Sequence, residues 1–299
     1  MKGKVLVIGS SNTDMVVKTA YFPKPGETII GGKFLMNAGG KGANQAVAAA
    51  RMGAEVTFIS KIGNDIFGKQ AVQGFENEGI NTDYIITDND NPSGVALITV
   101  DKNGENSIVV APGANMELQP FDFTNANHLF EENEVVLMQL ETPINTISFC
   151  AKLASKNGKK VILNPAPATQ LSDELLNDLY LITPNETETE ILTGIQLNDN
   201  ESIKKATEIL KSKGVKNVII TLGAKGIYLS AGNYNQFVPA PKVVPIDTTA
   251  AGDVFNGALA AAIAENMDWL QASEFACKAA SVSVTRMGAQ TSVPFRKEL

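Results

Sequence analysis

The stretch Val5-Leu6-Val7-Ile8-Gly9-Ser10-Ser11-Asn12-Thr13-Asp14 carries the pattern that decides the fold: four apolar residues, then a polar run opened by a glycine. An apolar run too short for a helix and lacking a polar face predicts a strand buried on both sides, as in a parallel sheet. Val135-Val136-Leu137-Met138, Val161-Ile162-Leu163 and Val218-Ile219-Ile220 repeat it. Helical spacing fills the intervals at Lys41 to Met52, Thr142 to Asn157 and Ser202 to Lys213. The last of these sets Ile203, Ala206, Ile209 and Leu210 on one stripe and ends at Gly214, a helix-stop signal. Such alternation predicts an α/β fold, a doubly wound, mainly parallel sheet flanked by helices, as one domain over residues 1–299.

Two stretches break that rhythm. Pro23-Lys24-Pro25-Gly26 separates strand-favouring runs at Met15 to Thr19 and Thr28 to Phe34. Further on, Val95 to Val100 and Ser107 to Val110 flank Asp101-Lys102-Asn103-Gly104, and Asn-Gly at a turn signals a hairpin. Residues 15–36 and 94–110 are expected to pair into a small β-sheet lid, with surface decoration as the alternative. Exposed strand edges favour pairing between copies, so a homodimer through the lid is expected.

Composition removes several classes of function. With 299 residues, 44% hydrophobic and 19% charged, the chain has material for a large core and needs no disulfide or metal to hold it. Lys and Arg number 25 against 32 Asp and Glu, a formal charge of −7. Duplex nucleic acid and anionic membranes both require a basic footprint, so neither is expected as a partner. Cys150 and Cys277 are too few for a disulfide framework or a Cys-based zinc site. The single His128 excludes two-histidine zinc motifs and argues against Ser/His or Cys/His catalysis, leaving carboxylates and backbone amides. No apolar run approaches a membrane span or a signal h-region, and a cytoplasmic location is expected.

Ligands of open α/β sheets bind beyond the carboxyl ends of the strands. The polar residues there are Asn12 and Asp14 after the first run, Glu141 after the second, and Asn164 after the third. Thr183-Pro184-Asn185-Glu186-Thr187-Glu188 follows Leu179 to Ile182, and Thr221-Leu222-Gly223-Ala224-Lys225-Gly226 follows Val218 to Ile220. The glycine-rich Asn37-Ala38-Gly39-Gly40-Lys41-Gly42-Ala43-Asn44 opens a helix, which suits either a ligand loop or tight helix–strand packing. It is no Walker A loop, because Gly42 stands where Ser or Thr should follow Lys41. In Asp247-Thr248-Thr249-Ala250-Ala251-Gly252-Asp253, small residues lead into a second helix with a carboxylate in its first turn. Alone, that Asp is ordinary helix stabilisation. Beside an amide-lined anion hole it suits phosphoryl transfer, with the carboxylate taking the proton of an attacking hydroxyl.

Gly39 to Ala46 and Asp247 to Gly257 resemble the two signature motifs of the PfkB-type carbohydrate kinases. The resemblance extends through Gly9 to Asp14, Pro184 to Glu188, Thr221-Leu222-Gly223 and Val284 to Gln290, essentially the full length. It implies ATP-dependent phosphorylation of the ribose 5-hydroxyl. Another sugar or nucleoside, such as fructose or deoxyribose, is the nearest alternative, and a non-catalytic sugar- or nucleotide-binding protein a second. A dinucleotide-dependent oxidoreductase would need a glycine fingerprint that the chain lacks. By the same resemblance, Asp253 is the general base and Ala250, Ala251 and Gly252 form the anion hole. Asn12, Asp14, Gly40, Lys41, Gly42, Asn44 and Glu141 bind the sugar. Asn185, Thr221, Gly223, Ala224, Lys225, Gly226, Gly252 and Cys277 lie along ATP. Asn185 and Glu188 organise Mg²⁺ through water. Asp247, Thr249, Ser292 and the carbonyls of Ser283, Arg286 and Gly288 hold a monovalent cation, normally K⁺.

Overall fold

The computed structural model describes residues 2–30 and 32–299. The chain begins β1 (Lys4–Ile8), β2 (Asn12–Lys18), β3 (Lys33–Gly39), α1 (Lys41–Arg51), β4 (Glu55–Ile59), β5 (Lys61–Gly63) and α2 (Ile66–Asn77). It continues β6 (Ile86–Asp88), β7 (Gly94–Val100), β8 (Asn106–Ala111), α3 (Leu129–Glu132), β9 (Val135–Met138), α4 (Ile144–Lys156), β10 (Lys160–Leu163) and α5 (Asp173–Asn177). It ends β11 (Leu181–Ile182), α6 (Glu186–Thr193), α7 (Asn200–Ser212), β12 (Asn217–Thr221), β13 (Ile227–Ala231), β14 (Tyr234–Val238), α8 (Ala251–Ala264) and α9 (Trp269–Ser283). Among these residues no helix is long and apolar enough to cross a membrane.

Eight strands form the central sheet in the order β14-β13-β12-β11-β10-β9-β1-β4. Every pairing from β4 to β12 is parallel, and β12, β13 and β14 are antiparallel. Side chains alternate across a strand, so each apolar run supplies two cores. Val5, Val7, Val135 and Leu137 pack with α1, α8 and α9, whereas Leu6, Ile8, Val136 and Met138 pack with α3 to α7. This is the mainly parallel, helix-flanked α/β sheet that the apolar runs predicted.

A second sheet has the order β3-β2-β7-β8. One of its strands differs from expectation: the strand predicted over Thr28 to Phe34 lies at Lys33–Gly39, and Gly31, inside the predicted run, lies outside the described residues. Pairing fixes the shift, because β2 runs antiparallel to β3 from Asn12 opposite Gly39 to Lys18 opposite Lys33. Asn12 and Asp14 therefore sit on a strand of this sheet rather than in a loop.

Two helices position the chemistry. The N-cap of α1 is Gly40, whose φ of 89° lies in the region only glycine adopts freely, and an added Cβ would fall 2.7 Å from the Asn12 amide nitrogen. Helix α8 crosses α1 at Gly257, where a Cβ would fall 2.5 Å from the Ala48 Cβ and from the Gln45 carbonyl oxygen. Gly257→Ala is expected to force the helices apart, destabilising the protein by about 1–3 kcal/mol. Denaturant unfolding checks this, and an unchanged midpoint would contradict the close packing.

Candidate active site

Asp253, in the first turn of α8, is buried. Asn44 donates through Nδ2 to its Oδ2 at 2.9 Å, and Gln45 donates through Nε2 to its Oδ1 at 2.9 Å. Lys41, Asn44 and Gln45 sit at helical spacings of three and four, so one face of α1 presents all three. Burial pushes the Asp253 carboxyl up, opposed by Lys41 and by the two amide donors. Burial would also lower the Lys41 ammonium, but Asp253, Glu141 and Glu188 outweigh it and hold it above its usual value. The result is a carboxylate kept ionisable in a dry setting, which suits it to accept a proton. Asn44 Oδ1 is buried with no partner among the described residues, an open acceptor beside Asp253.

A polar cluster lies on one side. Glu141 Oε2 accepts from the Ser10 hydroxyl at 2.5 Å and from the Lys41 N–H at 3.0 Å, tying the loop after β9 to the start of α1. Asn115 donates through Nδ2 to Asn12 Oδ1 at 2.8 Å and accepts the Ser11 N–H at 2.9 Å. Asn12 is thereby turned so that its own NH₂ is the free group. Burial, then Glu141 and Asp253, push the Asp14 carboxyl up to about 6. Gly42, buried in the first turn of α1, donates its N–H to the Ser10 hydroxyl at 3.3 Å.

A cavity of about 880 Å³ lies on the other side, and Lys41 and Asp253 belong to its lining as well. Asn185, Glu188, Thr221, Gly223, Ala224, Gly226, Gly252 and Cys277, which the resemblance assigns to nucleotide or magnesium, all line it. Lys225 does not: its ammonium is turned outward, 4.0 Å from Glu186. Ile227, Val243, Pro245, Phe255, Ala280 and Val284 join Cys277 as an apolar wall. Burial pushes the Cys277 thiol up to about 12, so it serves as uncharged wall.

The N-terminus of α8 closes the cavity floor. Ala250 caps it in the left-handed conformation, φ 59°, which costs an L-residue about 1–2 kcal/mol. That turn leaves the N–H groups of Ala250, Gly252 and Asp253 without protein acceptors among the described residues, while Ala251 directs its own at the Thr248 carbonyl, 3.3 Å away. Two of the expected trio, Ala250 and Gly252, thus present open amides, and Asp253 adds a third. An anion fits there, at the positive end of the helix dipole.

Asn185 and Glu188 form a reciprocal cap on α6: Glu188 Oε2 accepts the Asn185 N–H at 2.8 Å, and Asn185 Oδ1 accepts the Glu188 N–H at 2.8 Å. Burial pushes the Glu188 carboxyl up against the pull of Asn185 and Lys41. Two hard oxygen-bearing groups on a cavity wall fit a hydrated divalent cation. Behind the floor, Asp247 accepts from Thr249 N–H and Oγ1 at 2.9 and 2.6 Å, and from Gly288 N–H at 2.9 Å. The carbonyls of Arg286 and Gly288 accept no hydrogen bond among the described residues, which suits a cation held by backbone oxygens. The Ser283 carbonyl and the Ser292 hydroxyl are already paired, with Arg286 N–H and the Ala289 carbonyl, and the Arg286 guanidinium bonds Glu298 at 2.7 Å.

Several participants escaped the motif reading. Gln45 stood inside a quoted motif, four residues after Lys41, and that spacing was the signal. Ser10 and Asn256 also stood inside quoted motifs, whereas Asn115 and Gln139 carried no signal, because their partners are set by tertiary contacts.

This geometry, a buried carboxylate between a polar cluster and a cavity floored by helix amides, is that of a phosphoryl-transferring enzyme. The family described as pfkB family carbohydrate kinase matches residues 2–296. A ribokinase of Haemophilus influenzae is 48% identical over 298 residues, covering 100% of this chain and 97% of the relative. A deoxyribokinase of Salmonella typhimurium is 38% identical over 291 residues, covering 97% and 95%. The structure of Arabidopsis thaliana ribokinase complexed with ribose and ATP superposes with a TM-score of 0.94 at 35% identity, covering 99% and 97%. The protein is a carbohydrate kinase, and it belongs to the pfkB family.

Asp14 links this site to stability. Its carboxyl moves from an ordinary 3.8 up to about 6 on folding, so the folded protein holds the proton more tightly within that window. Stability therefore falls as pH rises through it, because the unfolded chain ionises first. Asp14→Asn is expected to raise the melting temperature of the ligand-free protein by a few degrees at pH 7.5 and not at pH 4. Equal melting of both proteins at pH 7.5 would contradict the assignment.

Proposed function

We propose that the chain phosphorylates ribose at its 5-hydroxyl with ATP, with Asp253 as general base. The observation that carries this reading is that Asp253 belongs both to the polar cluster and to the wall of the large cavity. A hydroxyl beside Asp253 gives up its proton to the carboxylate while its oxygen attacks the terminal phosphorus in line, and the bond from that phosphorus to the β,γ-bridging oxygen breaks to release ADP. Asn12, Asp14, Asn44 and Glu141 hold the other sugar hydroxyls, and the open Asn44 Oδ1 accepts one of them. Gly40, Lys41 and Gly42 close that side, with the Lys41 ammonium facing the transferred group. The amides of Ala250, Gly252 and Asp253 stabilise its charge. Adenine packs on the apolar wall around Cys277, with Thr221, Gly223 and Gly226 along the nucleotide. Mg²⁺ held through water by Asn185 and Glu188 would neutralise phosphate charge. K⁺ at Asp247, Thr249 and the nearby carbonyls would fix the loop that precedes the anion hole. The support for ribose is the likeness to kinases named for it; the 38% identical deoxyribokinase makes deoxyribose the competing substrate.

A lid role for the four-stranded sheet belongs to the same reading. The face of that sheet away from Asp14 carries Met15, Met36, Leu97 and Val109 in register, with Val17 and Phe34 beside them. Exposures of 58% for Phe34, 53% for Leu97 and 64% for Val109 make this an apolar surface suited to a second copy. Sedimentation is expected to give a dimer at micromolar concentration, dissociated by Leu97→Asp; a monomeric parent protein would contradict it.

ADP release across a sugar panel tests the activity. Ribose is expected to be the preferred acceptor, potassium to stimulate, and Asp253→Asn to lower turnover by about 10²–10⁴-fold with sugar affinity largely kept. Near-normal turnover in that variant would remove Asp253 as the base.

A further inference from the structure

Beneath Asp253 runs a chain of buried side chains to which the reaction as described gives no task. Gln139 donates through Nε2 to Gln45 Oε1 at 2.7 Å, and the Gln45 Nε2 is shared between Asp253 Oδ1 at 2.9 Å and Asn164 Oδ1 at 3.0 Å. Asn164 Nδ2 reaches the Thr183 carbonyl at 3.4 Å, and the Thr183 hydroxyl donates to Asn256 Oδ1 at 2.6 Å. Asn256 Nδ2 then donates to the Gly252 carbonyl at 2.8 Å. The path leaves Asp253 by its carboxylate and returns to its backbone, since the Gly252 carbonyl and the Asp253 N–H share one rigid peptide plane. Gln45, Gln139, Thr183 and Asn256 are each at most 1% exposed. Apolar side chains could fill such a core without needing hydrogen-bond partners, so retaining amides there calls for another reason.

We propose that Gln45 is a positioning residue, which aims the Asp253 carboxylate at the substrate hydroxyl and, through Asn164, Thr183 and Asn256, sets the tilt of the anion-hole peptide. One carboxylate oxygen is taken by Asn44 and one by Gln45, which leaves the carboxyl plane a single orientation. The groups whose charge bears on Asp253 are Lys41, Glu141, Asp14 and Glu188, and none bonds to Gln45. Gln45 favours the charged form of Asp253, so removing its donor moves the carboxyl upward.

The inference rests on Asp253 being the base, and the test separates the two claims. The pH profile of kcat/KM is measured for the parent protein, Gln45→Met, Asp253→Asn and the double variant. Gln45→Met is expected to lower kcat by about 10–100-fold, the worth of one hydrogen bond to a charged group. KM for ATP is expected to stay within about threefold, the acid limb to move to higher pH, and Gln45→Met to add no loss in the Asp253→Asn background. An acid limb that stays in place, with losses that multiply in the double variant, overturns the inference and leaves the base standing. Turnover retained by Asp253→Asn removes the base itself. Gln139→Met deletes only the support behind Gln45 and serves if Gln45→Met does not fold. It is expected to move the acid limb the same way with a smaller loss, and an unmoved limb there overturns the inference equally.

Discussion

The contact of α1 with α8 is the constraint on which the site depends. Each helix starts beyond the strand ends on the same side of the sheet, and Gly257 brings them within backbone contact distance. At that separation Asn44 and Gln45 reach the Asp253 carboxylate, and Lys41 faces it. Without them Asp253 would be a buried charge lacking partners, an arrangement that costs several kcal/mol. Catalytic geometry and helix packing are thus one set of contacts.

Electrostatics follows from the same crowding. Glu141, Asp253 and Glu188 converge on Lys41, and Asp14 adjoins Glu141 and Asp253. Burial pushes Asp14, Asp253 and Glu188 upward, a conflict that the ligand-free fold carries. A sugar relieves it by donating hydroxyls. A nucleotide would deepen it, and on the proposed reading cations and the amides of α8 provide the counterweight. The formal charge of −7 is in that sense no obstacle to holding a polyanion, since the fields that matter act within a few ångströms.

Much of this was legible in the chain alone. The strands β1, β9, β10 and β12 are apolar on both faces because helices cover both sides, and that state writes itself into consecutive residues. The β13–β14 hairpin at the sheet edge was missed, since β14 is Tyr234-Asn235-Gln236-Phe237-Val238, whose central residues face solvent. The run Thr28 to Phe34 has strand-forming side chains, yet β3 lies further along, where pairing with β2 sets the register. Asp253, Lys41 and Glu188 stood out because each sits in a contiguous motif at a helix start. Gln139 and Asn115 did not, because their bonds join residues 94 and 104 positions away. Lys225 lies off the cavity wall, in the turn at Gly223–Lys225, with its ammonium 4.0 Å from Glu186.

The central claim is that Asp253 accepts a proton and never the phosphoryl group itself. The stereochemical course at phosphorus tests it most directly, using ATP made chiral at the γ-position with oxygen isotopes and sulfur. A single in-line displacement by the sugar hydroxyl predicts inversion in the sugar phosphate product. Retention, the mark of two displacements through a phosphorylated carboxylate, would contradict the account.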